Sequence, residues 1–177
     1  MLTEESVIRA APTSRSVLLA RVRWTLGLFI MALIVSGLTA FPLQLELEQL
    51  SDWLGTTPDQ GSGLGKWILL VRDGLRESYG KYPWIAYGTD WLAFAHIIIA
   101  LFFIGPLTNP VRNIWVLWAG LIACAMVLPL ALICGPFRQI PLGWRLIDCS
   151  FGIFGAIPLA YCLKWTRRLE RWEWGAA

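Results

Sequence analysis

Charge is scarce in this sequence, and histidine is nearly missing. Asp, Glu, Lys and Arg make up 15% of its 177 residues, where a soluble domain carries about 25%. A single histidine, His96, excludes a bis-histidine haem and leaves a structural zinc site with only one nitrogen donor. The four cysteines, Cys124, Cys134, Cys149 and Cys162, form no CxxC pair and show no metal-ligand spacing. Gly120, Gly152 and Gly155 stand in no phosphate-loop context. The net charge of +3 is small, and its basic residues flank apolar segments instead of forming an aromatic-laced patch. No metal, no cofactor and no nucleic-acid partner is therefore expected.

What is present belongs to lipid. Apolar residues make up 56% of the chain, and eleven of its residues are Trp, which membrane proteins place at headgroup level. Mean hydropathy is +0.58. The length allows one domain, residues 1–177. Four stretches approach the ~20 apolar residues that a bilayer crossing needs: 24–41, stopping at Pro42; 87–104, ending in the breaker-rich run 105–110; 113–134, closed by Gly135-Pro136; and 144–163, before Lys164. The expected fold class is all-α, an integral membrane four-helix bundle.

Orientation follows from the placement of Lys and Arg. Arg9, Arg15, Arg21 and Arg23 precede the first span, and Lys164, Arg167, Arg168 and Arg171 follow the last. The turn between spans two and three carries Arg112. Both termini are thus expected in the cytoplasm of a plasma-membrane protein. The first span is longer than the apolar core of a signal peptide and has no A-x-A site after it, so it reads as retained.

The first extracytoplasmic loop, 42–83, is more than a linker. Leu43, Leu47, Leu50 and Leu54 recur at helical spacing, as do Leu64, Trp67, Val71 and Leu75 beyond the break at Gly61-Ser62-Gly63. Two short amphipathic helices are expected there, either covering the spans or acting as a lid. The tail from Lys164 to Trp174 alternates basic and aromatic residues, the pattern of an anchor among anionic inner-leaflet headgroups.

Charge depth is the anomaly. Between Asp148 and Lys164 lie 15 uncharged residues, about 22 Å of helix, less than the ~30 Å hydrocarbon core. Asp148 must therefore sit below the outer headgroups. Counting back the same distance from Gly105 reaches Asp90. A charge at the centre of a spanning helix costs about 2.5–3.5 kcal/mol or more unless it is paired or wet. Arg145 lies three residues before Asp148, and Arg138 lies in the loop on the same side. Asp90, Arg138, Arg145 and Asp148 are expected to form a polar cluster rimmed by Tyr82, Trp84, Tyr87 and Trp144. Two arginine forks suit a phosphate or carboxylate; an ion-pair network bracing spans two and four is the alternative.

Asp90, His96 and Asp148 are the catalytic candidates, should there be catalysis. His96 lies six residues after Asp90, about 240° around the helix, so the two do not form a dyad on one face. A hydrogen bond to a carbonyl or hydroxyl of a neighbouring helix explains it as well as proton transfer does. Cys134 and Cys149 flank one loop, where a disulfide or redox pair is conceivable. Ala119 with Ala123, Gly120 with Cys124, and Gly152 with Ala156 follow the small-xxx-small rule of close helix packing. Pro129 and Pro158 should bend spans three and four.

The stretch Arg145-Leu146-Ile147-Asp148, followed by Gly152 and Gly155, resembles the last-helix pattern of VanZ-like membrane proteins. That pattern has an arginine shortly before an aspartate and a glycine seven residues after it. Those proteins also carry an acid and a histidine in an earlier span, where Asp90 and His96 stand. The acid-to-histidine spacing is longer here than in that family, and Gly152 stands where it has asparagine. The resemblance implies a small cell-envelope protein, in some members linked to glycopeptide resistance. Three functions remain open: binding, and processing, of an anionic lipid or envelope-precursor headgroup; a non-catalytic subunit among partner membrane proteins; and a thiol-disulfide oxidoreductase.

Overall fold

The computed structural model describes residues 14–55 and 63–175, and no strand occurs among them. Helix is the form in which an apolar chain satisfies its own N–H and C=O groups where water is missing. The elements run α1 (Arg15–Ala40), α2 (Leu43–Trp53), α3 (Gly63–Lys81), α4 (Trp84–Phe102), α5 (Ile104–Thr108) and α6 (Ile114–Pro129). A π-helical turn (Leu130–Cys134), α7 (Gly135–Phe137) and α8 (Leu142–Gly175) complete the chain. Four stretches, Arg15–Ala40, Trp84–Thr108, Ile114–Phe137 and Leu142–Glu173, are long and apolar enough to cross a membrane. The fold fits an integral membrane protein.

All four helices outrun the expected spans. α1 starts nine residues before Trp24, with Arg15, Arg21 and Arg23 exposed on its surface. The second stretch continues past Ile104, because Pro106 falls in the first turn of α5, where a missing N–H removes no helical bond. Asn113 then closes the turn, its amide donating to the carbonyls of Gly105 at 3.0 Å and Asn109 at 2.9 Å. The basic-aromatic tail is continuous with the fourth span. It prolongs α8, with Thr166 and Leu169 fully buried. Arg15 pairs with Glu173 at 3.3 Å, so the start of α1 and the end of α8 lie side by side. This is called the terminal end below, and the opposite one the cap end.

One apolar core joins the spans, and it lies in the terminal half. Leu18, Val22 and Leu26 of α1 meet Phe103, Val116 and Leu117, and Leu159, Cys162, Leu163 and Leu169 of α8. The rings of Phe29 and Phe103 meet edge to face at 4.9 Å. Toward the cap end the contacts become pairwise and depend on small residues. A Cβ at Gly37 of α1 would lie 2.8 Å from the Ala93 carbonyl oxygen of α4. One at Gly152 of α8 would lie 2.5 Å from that of Cys124 on α6. Gly120 faces Phe103 and Leu159. Ala119 and Ala123 depart from expectation: both are exposed, so that small-residue pair is not buried between helices of the described residues.

The two amphipathic helices of the first loop are present and pack on each other. Arg76 of α3 reaches Glu48 of α2 at 2.8 Å, and Arg72 donates to the Ser51 hydroxyl at 2.9 Å. The buried face of α3 is turned from the expected stripe: Gly65, Ile68 and Leu69 are buried, and Leu64 is exposed. Two side-chain contacts among the described residues link the hairpin to the spans. Tyr79 and Thr89 share a hydrogen bond of 2.8 Å, and the Trp67 and Trp144 rings lie 6.5 Å apart. The break at Gly61-Ser62 lies outside the described residues.

Two measurements test these contacts. Gly37→Val and Gly152→Val should each lower stability by about 1–3 kcal/mol, the usual cost of overpacking, in thermal unfolding in detergent. Gly27→Ala, with nothing within 4 Å of the added atom, should not. The Arg76 guanidinium, and next the Gln44 amide, hold the Glu48 carboxyl below its ordinary 4.5. The pairing of α2 with α3 is therefore at full strength above pH 4.5 and weakens as pH falls through the lowered value. Hydrogen exchange in 43–53, corrected for its intrinsic pH dependence, should accelerate in that acid range, and Glu48→Gln should remove the effect.

Candidate functional site

The third span changes its winding at the cap end. Pro129 has no N–H to donate back into α6, and the next five residues, Leu130–Cys134, form a π turn. Such turns are rare and recur at functional sites. Here the turn lines a cavity of about 230 Å³ whose other walls include Arg138 and Asp148. Asp148 comes from the second turn of α8 and is half-buried; Arg138 follows α7 and is exposed. Both residues line the cavity, and neither side chain forms an ion pair or hydrogen bond with any described residue.

The loop holding Arg138 is tightly built. The Ile140 N–H donates to the Gly135 carbonyl at 3.0 Å, and the Gln139 N–H to that of Pro136 at 3.0 Å. This is the paired hydrogen bonding of a Schellman helix end. Its left-handed position is taken by Gln139 with φ of 56°, where glycine is usual. Arg145 crosses the same loop. Its Cγ and Cδ lie against Gly135, where an added Cβ would collide with them. Its Nε is buried without a hydrogen-bond partner. Trp144 is half-buried beneath Trp67 of the cap.

The four charged residues do not converge. Arg138 and Asp148 share a cavity with Arg145 beside it, whereas Asp90 and Tyr87 line a second one of about 290 Å³ with Phe41, Trp91 and Phe94. The reason is topological: α4 packs along α1 and α6 along α8, so spans two and four are not paired. No ion pair among the described residues braces them. Tyr82 and Trp84 contact each other at 6.1 Å, with the Lys81 ammonium 5.3 Å from the Tyr82 ring.

His96 forms its hydrogen bond within its own helix, Nδ1 to the Leu92 carbonyl at 2.9 Å, and its Cβ packs toward Gly37. It is not joined to Asp90. All four cysteines are free thiols, Cys134 exposed and Cys149 buried. Among the described residues no cluster of His, Cys, Asp or Glu is placed to hold a metal ion. Along the same α6–α8 pair, deeper than Asp148, runs an apolar groove of about 390 Å³ containing Leu128, Gly152 and Ala156. The π turn, the Arg145–Gly135 contact and this groove depend on how the helices pack, which residue spacing alone does not give. Pro129 followed by Gly135-Pro136 was the signal for the first.

No protein family, no curated protein and no solved structure matches this chain.

Gln139→Gly should stabilise the protein by about 1 kcal/mol by removing the left-handed penalty, seen as a higher Tm. Gly135→Ala should do the opposite, since it expels the Arg145 stem from its seat.

Proposed function

We propose that the cavity between the π turn and α8 binds an anionic lipid or envelope-precursor headgroup. The single observation behind this reading is that Arg138 and Asp148 line one cavity with both charges unpaired among the described residues. A braced ion pair would have consumed them. The arginines supply forked donors for phosphate or carboxylate, and Arg145 holds a buried Nε in want of an acceptor. Asp148 would orient the headgroup or accept a proton from it. The apolar groove deeper on the same helix pair is where an acyl chain would lie.

In this reading the four spans form a bundle in the plasma membrane with cytoplasmic termini. The α2–α3 hairpin then covers the outer face near Trp144. The pairing of Arg15 with Glu173 supports placing both termini on one side, and the flanking basic residues support the inner side. The subunit reading has one observation in its favour: Ala119 and Ala123 present a small-residue face outward from α6, suited to a partner helix.

The test is lipid co-purification from the full chain in mild detergent, read by mass spectrometry. Arg138→Gln and Arg145→Gln should each weaken retention of anionic lipid at least about tenfold, since a charge-assisted bond contributes about 1.5–3 kcal/mol. Asp148→Asn should change the lipid profile without unfolding the protein. Folded variants with unaltered lipid content would sink the proposal.

A further inference from the structure

The second cavity has chemistry of its own. Asp90 sits in the second turn of α4, half-buried, at the cap end of a helix that spans. Around it are Tyr87, Trp91 and Phe94 of the same helix and Phe41, the residue that caps α1. The first three fall at i−3, i+1 and i+4 from the carboxylate. Their rings are mutually braced: Tyr87 meets Trp91 at 6.0 Å and 81°, and Trp91 meets Phe94 at 6.0 Å and 90°. Among the described residues the carboxylate has no hydrogen bond and no ion pair. Lys81, the last residue of α3, holds its ammonium over Tyr82 instead.

Every group in this cavity attracts positive charge. Aromatic faces carry negative potential and bind ammonium ions, quaternary ones included. The carboxylate adds a full negative charge where the alternative to pairing is an unpaired ion in a spanning helix. A bare metal ion does not fit the donor set, because hard cations demand six or more oxygens and one carboxylate supplies two. Anions are repelled, which separates this cavity from the Arg138 site. The rings also face outward: Trp91 is 57% exposed and Phe94 46%, on the flank of a spanning helix where lipid is the surrounding medium.

We propose that Asp90 and its four aromatic residues form a cage for the ammonium headgroup of a phospholipid, independent of the anionic site at Arg138. The amine binds the carboxylate and lies against the Trp91 and Tyr87 faces, while the acyl chains run down the outside of α4.

Native mass spectrometry of the full chain, titrated with short-chain phosphatidylethanolamine or phosphatidylglycerol, tests this. Asp90→Asn should weaken phosphatidylethanolamine binding at least tenfold, about 1.4 kcal/mol, and leave phosphatidylglycerol binding unchanged. Arg138→Gln should show the reverse selectivity. Unchanged phosphatidylethanolamine binding in folded Asp90→Asn overturns the proposal, as does an equal loss of both lipids. Free ethanolamine competing as well as the lipid would make the cage a soluble-amine site and overturn its lipid assignment. Should Asp90→Asn fail to fold, Trp91→Leu keeps the carboxylate and removes one wall; intact phosphatidylethanolamine binding there is equally fatal.

Discussion

Leu18, Val22 and Leu26 pressed against Phe103, Leu117 and Leu159 hold the spans together, and that contact lies wholly toward the end where α1 begins and α8 ends. In lipid, apolar burial by itself gives little drive to associate, because acyl chains solvate leucine as well as leucine does. What remains is close packing, and the largest fully buried side chains are in this half. Toward the cap end the helices stay together only in pairs. There they rely on glycines that let one backbone touch another, Gly37 on Ala93 and Gly152 on Cys124. Pairwise packing at the cap end leaves room there for the cavities at Asp148 and Asp90. A third cavity, of about 360 Å³ and lined by Lys164, Arg167, Arg168 and Arg171, lies at the terminal end instead.

Four spans were legible because long apolar runs have no other stable form in a bilayer. Their limits were not. Pro106 reads as a terminator in sequence, yet one turn into a new helix it costs no hydrogen bond. The tail after Lys164 reads as an interfacial anchor because its charges dominate its composition. Only the helical register shows that Thr166 and Leu169 are buried, Leu169 in the core shared with α1. Conversely, the amphipathic hairpin was legible from leucine spacing alone, whereas the rotation of α3 that buries Ile68 and exposes Leu64 depends on α2.

The candidate site was half legible for a similar reason. Counting residues between charges fixes depth along one helix, and it placed Asp148 and Asp90 at the cap end. Depth says nothing about which helices are neighbours. Equal depth made a single cluster look natural, but α1 lies against both α4 and α8, and the two carboxylates fall into separate cavities. The neighbours of Asp90 were readable in principle, since Tyr87, Trp91 and Phe94 are one turn or less away on its own helix. Those of Asp148 were not, because Arg138 and the π turn reach it only through the fold of the preceding span.

That difference decides what each carboxylate can do. A charge at this depth is tolerable when something compensates it, and the compensating groups set the sign of what may bind. Asp148 shares its cavity with Arg138, and Arg145 packs across the loop, so the local balance is positive. Among the described residues, those that line the other cavity with Asp90 are all aromatic, so the balance there is negative. Nothing in the residue type distinguishes the two aspartates. The loop strained at Gln139 and tightened by its two end-capping hydrogen bonds is what brings Arg138 to Asp148. The surroundings of a half-buried aspartate thus follow from the turn between spans three and four more than from the charge itself.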